Sequence, residues 1–192
     1  MADNFMDDKY EVPQKGSNYM KFEKGKNRFR MLSLGILGYE GWKEEKDETG
    51  KKVNRPVRVP MDEAINVDDV DDESKIKHFW AMPVANRKDN TIQILEITQK
   101  GIQKSIKSLT QSPDWGSPLN YDIEVTKTGD GMDTEYSVNP TPKKKIDEDI
   151  AKEFKGMNIN LNALYTGDDP FAESDKNNFV DKVSEEMEKD ET

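Results

Sequence analysis

Aromatic and basic side chains recur together through the first two thirds of this 192-residue chain. Planar rings can stack on nucleobases, and lysine and arginine can neutralise phosphates, so the combination is typical of surfaces that bind single-stranded nucleic acid. The residues that best fit these two roles are Trp42, Lys43, Arg55, Arg58, Phe79, Trp80, Arg87 and Lys127. We predict that the two Trp rings stack bases and that the cations contact the backbone.

Strand geometry limits which of these residues can act together. Adjacent strand residues face opposite sides, so either Phe79 or Trp80 stacks a base while the other fills the core. Arg55 and Arg58 also fall on opposite faces of a regular strand, and a twist or bulge would have to turn both guanidinium groups outward. Arg87 lies in a predicted turn, where a mobile cation could reach a phosphate. Core packing and surface solvation are the alternative interpretations for these aromatic and basic residues.

The charge is unevenly distributed along the chain. Its net value is −10, but residues 168–192 carry 10 acidic and 3 basic residues, and residues 62–73 carry 7 acidic residues and no basic one. The rest of the chain therefore has a net charge of +4, and this asymmetry indicates a basic surface with acidic appendages. The terminal segment could compete with DNA for that surface or present Phe171 and Phe179 to partner proteins; a solubilising terminus is the alternative.

The composition argues against catalysis. The chain has no Cys and a single His, His78, which excludes thiol nucleophiles, disulfides, Cys-based zinc sites and two-His metal sites. The segment Gly35–Gly38 is too short for a phosphate-binding loop and lacks its Lys. The acids at 68–69 and 71–72 lack the spacing of a calcium loop, and they fit a solvated loop better than an ion site. We expect no enzymatic activity, no cofactor and no metal.

Targeting signals are also missing from the sequence. No apolar run approaches the roughly 20 residues of a membrane span, and the first residues lack the basic and then apolar pattern of a signal peptide. The absence of Cys fits a reducing compartment. We therefore expect a soluble cytoplasmic protein with no membrane partner.

Short alternating segments predict a mainly β fold. On one strand of a predicted hairpin, Tyr121, Ile123 and Val125 share a buried face, and the intervening polar residues, Asp122 among them, face solvent. Further strands are expected near 27–34, 53–59, 76–84 and 91–97, with a bend at Gly35 and Gly38, a helix capped by Thr98 and a short helix near 147–155. Several short strands with a helix before the final hairpin predict an OB-like five-stranded Greek-key barrel; a small open β-sandwich is the alternative.

The predicted organisation has three parts. Residues 1–15 form a flexible N-terminal arm, residues 16–167 form the barrel with one or two short helices, and residues 168–192 form a disordered acidic tail.

Several motifs occur in an order that resembles a known group. They are Tyr19-Met20-Lys21-Phe22-Glu23, Asn27-Arg28-Phe29-Arg30, Phe79-Trp80, Asn86-Arg87, Leu95-Glu96-Ile97-Thr98-Gln99-Lys100, Trp115-Gly116, Tyr121-Asp122-Ile123 and Tyr136-Ser137-Val138-Asn139-Pro140. Over residues 16–142 the chain resembles the helix-destabilising, OB-fold single-stranded DNA-binding proteins of tailed bacteriophages. The resemblance implies sequence-non-specific binding and protection of single-stranded DNA in replication, recombination and repair, with the acidic tail recruiting replication or recombination proteins. Because the chain has no Cys, it departs from the zinc-containing branches of that group.

Two other functions stay open at this point. The chain could be an acidic interaction protein or DNA mimic without DNA affinity, or a metal-dependent nuclease that uses the carboxylates of residues 62–73. Stacking and phosphate contacts serve RNA as well as DNA, and the oligomeric state is also left open.

Overall fold

The structure is a computed structural model that describes residues 17–172. Its strands are β1 (Tyr19–Met20), β2 (Gly25–Met31), β3 (Ile36–Lys46), β4 (Lys52–Pro60), β5 (Lys77–Asn86), β6 (Thr91–Ile97), β7 (Ile123–Thr128) and β8 (Glu135–Pro140), and its helices are α1 (Lys100–Gln111), α2 (Glu148–Met157) and α3 (Ala163–Thr166). Between residues 17 and 172, no helix combines the length and apolarity that crossing a bilayer requires. The predicted arm at 1–15 lies outside the described residues.

β2 and β3 follow each other along β5 as one bent strand. Both run antiparallel to β5, which they contact at Phe29–Met31 and again at Ile36–Glu40. The bend includes Gly35, where a Cβ atom would overlap the backbone carbonyl of Ala81. Only glycine fits at such a close approach of two chains, so the bend predicted from the glycines is present.

The strands form one mixed sheet that is not closed. The hydrogen-bonded order is β1, β6, β5, β2, β7 and β8, with β3 joining β5 to β4. All neighbours are antiparallel except β1 and β6, which are parallel. The mainly β class is confirmed, but the described chain has eight strands rather than five, and its path ends at β1 and β8. The closed Greek-key barrel is therefore not confirmed.

One core lies between the sheet and α1. The predicted inward residues of β7 and the residue before it, Tyr121, Ile123 and Val125, are fully buried there, and they pack with Ile102 and Ile106 of α1. The helix predicted from its apolar spacing is confirmed, although it begins at Lys100 and its N-cap is Gln99 rather than Thr98. The prediction that Asp122 faces solvent is wrong, since it is 3% exposed.

A second core covers the opposite face of β5 and β6. Phe79, Ala81 and Ile94 pack there against Leu164 and Phe171 from the C-terminal part of the described chain. Phe171, predicted to be a partner-binding anchor, is 2% exposed and takes part in this core instead. The packed chain therefore extends past the predicted boundary at residue 167, while Phe179 and residues 173–192 lie outside the described residues.

The acidic segment 62–73 connects β4 to β5 and is largely exposed, as predicted for a solvated loop, but it is also attached to β3. Val70 is 8% exposed and packs against Gly41, where a Cβ atom would come within 2.5 Å of its Cγ1. The Asp71 N–H donates to the Trp42 carbonyl at 3.0 Å, and the Glu44 N–H donates to the Asp71 carboxylate at 2.6 Å. We call residues 62–73 the acidic strap.

Replacing Phe171 tests whether the second core needs it. Phe171→Ala should lower the free energy of unfolding by about 3–5 kcal/mol, because it leaves a cavity between α3 and the sheet. Chemical denaturation measures this loss. Met132→Ala, at a fully exposed side chain, is the control and should change stability by less than about 0.5 kcal/mol. A Phe171→Ala protein as stable as the control would restore Phe171 to the surface role predicted from the sequence.

Candidate nucleic-acid interface

The β3–β4 hairpin places the predicted binding residues on two opposite faces. Trp42 pairs with Pro56, and Lys43 pairs with Arg55, in the antiparallel register of the hairpin. Paired residues share a face and successive residues alternate, so Trp42 and Arg58 lie on one face while Lys43 and Arg55 lie on the other. We call these the Trp42 face and the Lys43 face.

Arg58 on the Trp42 face is buried between two carboxylates. Its Nε lies 2.8 Å from Glu40 Oε2 and its Nη2 lies 2.7 Å from Glu96 Oε1, and the Arg58 side chain is only 8% exposed. The guanidinium also lies 5.7 Å from the ring centroid of Phe79, which is fully buried. This arrangement engages Arg58 and Phe79 inside the protein, so neither reaches the surface as a binding residue.

A small groove of about 340 Å³ continues from this ion cluster. It runs between β1 and β6 on one side and the β7–β8 hairpin on the other. Three partly exposed aromatic rings line it, Tyr19, Phe22 and Tyr136, and the centroids of the last two are 6.1 Å apart. Lys21 and the predicted residue Lys127 also line the groove. Its walls therefore carry both rings and ammonium groups.

A large cleft of about 1050 Å³ adjoins the groove at Tyr19, Met20 and Lys21. Its charged lining consists of five basic and two acidic side chains: Lys21, Lys26, Arg28, Arg87, Lys88, Glu23 and Asp89. This net positive charge suits a polyanion. The groove and the cleft thus form one track, and Glu40, which lines the groove, connects it to the Trp42 face of the hairpin.

The arginines of the cleft are held by Asp122. Its carboxylate accepts from Arg28 Nε at 2.8 Å, from Arg30 Nε at 2.7 Å and from Arg87 Nε at 3.2 Å. Burial alone would raise the pKa of Asp122, but the hydrogen bonds and charges of Arg87 and Arg30 outweigh it and hold the pKa below its usual range. Arg87 also donates to Asp147 at 3.1 Å, so it is fixed in place rather than mobile.

The Lys43 face carries the remaining predicted residues. Arg55 is well exposed and lies 3.2 Å from Glu45, and Lys43 donates to the carbonyl of Asp68 in the acidic strap at 3.0 Å. Trp80 pairs with Leu37, which places it on this side of the sheet, partly buried against the first core.

His78 holds Trp80 in position. The indole Nε1 can only donate, and it lies 2.9 Å from His78 Nε2, so that nitrogen accepts. The proton of the neutral imidazole is then on Nδ1, which donates to the Gly38 carbonyl at 2.8 Å. The Trp80 ring is therefore oriented by a chain of hydrogen bonds to the backbone of β3.

Five track residues before residue 30 were not among the predicted site residues: Tyr19, Lys21, Phe22, Lys26 and Arg28. The signal for them was present, because residues 15–30 carry six basic residues against one acidic residue. What the sequence does not contain is the parallel pairing of β1 with β6, which brings this segment beside β7 and β8.

The described residues contain no group of three or more His, Asp or Glu side chains placed to hold a metal ion. The acids of the strap instead form local hydrogen bonds, as Asp72 does with the backbone and hydroxyl of Ser74.

Comparison with known proteins gives one short similarity. A segment of 64 residues is 34% identical to a probable ssDNA-binding protein of Escherichia phage T5, and it covers 33% of this chain and 24% of the T5 protein. No protein-family model matches the chain. No solved structure matches it significantly.

Replacing Asp122 tests the group of three arginines that share its carboxylate. Asp122→Asn should lower the free energy of unfolding by about 3–5 kcal/mol near neutral pH, because three guanidinium groups lose their shared counter-charge. The folded-state pKa of Asp122 is depressed, so its stabilisation is present above the unfolded value of about 4 and is lost as the pH falls through the folded value.

The difference in stability between the native protein and Asp122→Asn should therefore narrow between about pH 5 and about pH 2. Denaturation at a series of pH values measures it. Asp130→Asn, which removes an exposed partner of Lys24, is the control and should be nearly neutral. A constant difference across this pH range would contradict the assignment.

Proposed function

We propose that this protein binds single-stranded DNA without sequence specificity. The observation that carries the proposal is the continuous track from the Trp42 face through the groove to the basic cleft. Trp42 is 45% exposed at one end, aromatic rings and lysines line the middle, and five basic side chains line the far end. Exposed rings stack bases and cations neutralise phosphates, and neither contact depends on base sequence.

The similarity to the phage T5 protein supports the same function, because that protein is described as a probable ssDNA-binding protein. Roles in phage DNA replication, recombination and repair belong to the proposal, as does the absence of catalysis.

An OB-type relationship is also part of the proposal. The bent strand β2–β3, then β5, β6, α1 and the β7–β8 hairpin follow the chain order of a five-stranded barrel with its helix before the last two strands. In this interpretation β1 occupies the gap between the third strand, β6, and the fifth, β8, while β4 extends the loop after the first strand. Such folds bind oligonucleotides beside this loop and the loop of the last hairpin, and the groove lies between the two.

Most of the outer face of β5 and β6 is covered by α2 and α3, while its margin at Tyr19 and Glu96 lines the groove. Ile150 of α2 packs on Ala85 and Ile92, and Leu164 of α3 packs on Phe79 and Ile94. Single-stranded DNA would therefore lie along the rim of the sheet, where the track is.

Titration of intrinsic Trp fluorescence with oligothymidine tests the function. The single strand should quench the emission, quenching should weaken from about 50 mM to about 200 mM salt through counterion release, and a duplex should have little effect. No response to the single strand at low salt, with and without residues 173–192, would favour an acidic protein-interaction factor or DNA mimic.

Two double variants, each of which removes two positive charges, test whether single-stranded DNA binds in the groove or on the Lys43 face. Lys21→Ala with Lys127→Ala removes cations from the groove, and Lys43→Ala with Arg55→Ala removes cations from the Lys43 face. The first pair should weaken the affinity for single-stranded DNA about tenfold and reduce the slope of log affinity against log salt concentration by about two. The second pair should change the affinity by less than about twofold. The reverse result, measured by fluorescence anisotropy, would place the strand on the Lys43 face.

The acidic terminal segment is proposed to compete with DNA and to recruit partner proteins. The ring centroid of Phe171 lies 6.4 Å from that of Tyr19, which lines both the groove and the cleft. Residues 173–192, with 8 acidic and 3 basic residues, therefore follow directly from the edge of the track.

Ending the chain after Ala172 should tighten single-strand binding several-fold, most strongly at low salt, and should abolish partner recruitment. This truncation keeps Phe171 in the core. A full-length control with the acids after residue 172 changed to amides separates charge from chain length. An unchanged affinity for both proteins would remove competition from the proposal.

A further inference from the structure

Glu96 is an unexpected side chain in a track that binds a polyanion. It lines the small groove, and its side chain is 24% exposed. Burial raises its pKa, the Arg58 charge and hydrogen bond lower it, and the Glu40 charge raises it, with a net shift upward. A partly buried carboxylate here costs stability and repels phosphate, so a specific use for it is worth seeking.

The ion cluster leaves Glu96 with unused capacity to accept hydrogen bonds. Arg58 is shared between two carboxylates, and its aligned hydrogen bond goes to Glu40. Glu96 Oε1 is buried and lies 2.7 Å from Arg58 Nη2, without the geometry of a hydrogen bond, so this oxygen faces the guanidinium and not the groove. A carboxylate has two oxygens that accept hydrogen bonds, and the Glu96 side chain is 24% exposed where it lines the groove. Its second oxygen, Oε2, is therefore the atom that can receive a donor from a ligand.

The other groups of the groove suit a nucleotide. Tyr19, Phe22 and Tyr136 offer rings against which a base can lie, and Lys21 and Lys127 offer ammonium groups for its phosphates. Glu96 lines the same groove from β6, so a base that lies against these rings has the carboxylate as a neighbour. Among nucleobases, the groups able to donate to a carboxylate include the exocyclic amines of cytosine, adenine and guanine.

We propose that the groove binds one nucleobase that carries an exocyclic amino group, with Glu96 as the hydrogen-bond acceptor that selects it. The inference rests on the proposed single-strand binding and adds a base preference at one position of an otherwise non-specific track. Uracil and thymine present a carbonyl oxygen where cytosine presents its amine, and the carboxylate repels that oxygen. Glu96 is thus a specificity-determining residue.

Oligodeoxycytidine and oligodeoxyuridine test the proposal, since their bases have similar size and differ in the group that faces Glu96. Fluorescence anisotropy with strands of about 12 nucleotides keeps the ligand within the site size of one such domain. The native protein should bind the cytidine strand about tenfold more tightly, the discrimination expected of one hydrogen bond to a charged group. In Glu96→Gln this ratio should fall to about one, because an amide can donate as well as accept.

Glu124→Gln is the matched control. The Glu124 side chain is also 24% exposed and is ion-paired, to Lys26, but it is not part of the groove lining. Both variants remove one negative charge, so both should bind each strand somewhat more tightly, and only Glu96→Gln should change the ratio between strands. Equal unfolding midpoints for the two variants would show that the difference does not come from folding.

The remaining outcomes separate the two proposals. Binding of both strands with equal affinity, unchanged in Glu96→Gln, would overturn the base preference and leave single-strand binding intact. A ratio that changes equally in both variants would attribute the effect to net charge and also overturn it. Failure of the native protein to bind either strand would overturn both proposals.

Discussion

The Asp122 carboxylate determines how the positive charge of the cleft is arranged. Three guanidinium groups converge on it, two from β2 and one from the turn that joins β5 to β6. Arg30, the most buried of the three, also donates to the carbonyls of Leu119 and Lys144. Without a shared counter-charge these cations would repel one another and separate the segments that carry them. A surface suited to an anion is thus assembled around a buried anion of its own.

The C-terminal part of the described chain then decides where a ligand can lie. Residues 146–172 contribute apolar side chains to the second core and to the neighbouring cluster around Ala85 and Ile92, and they bury most of the outer face of β5 and β6 with the same kind of packing that holds a domain together. The strands keep their regular hydrogen bonding while one face faces α1 and the other faces α2 and α3. The groove at the rim between β1 and β8 stays open, and it is lined by side chains from segments far apart in sequence.

Local patterns predicted the elements well, and long-range pairing decided where the site residues lie. Alternation around Tyr121 and the spacing of Ile102 and Ile106 placed a strand and a helix correctly, because both signals depend only on neighbouring residues. The same alternation failed at Asp122, because a carboxylate can be buried where arginines from other segments of the chain form ion pairs with it. Phe171 was misplaced for a related reason: its acidic neighbours suggested solvent, while the apolar surface it covers belongs to β5 and β6.

The groove was the least predictable part of the candidate site. Its walls come from β1, β6 and the β7–β8 hairpin, and no local pattern in the sequence specifies that these segments meet. The stretch of basic residues before residue 30 was visible, but its role depends on two residues, Tyr19 and Met20, pairing in parallel with β6. A strand of this length has almost no sequence signature.

The two ends of the sheet have a consequence for how copies of this protein can crowd together. A sheet that does not close leaves edge strands whose backbone groups can pair with another chain. Here β1 has only two residues, and β8 begins with Glu135 and ends with Pro140, which has no N–H to donate. The third edge is β4, which pairs only with β3 and is interrupted by Pro56. The proposed coating of one long DNA strand would bring many copies side by side at high local concentration. Short and interrupted edges would let those copies sit close together without joining their sheets into an aggregate.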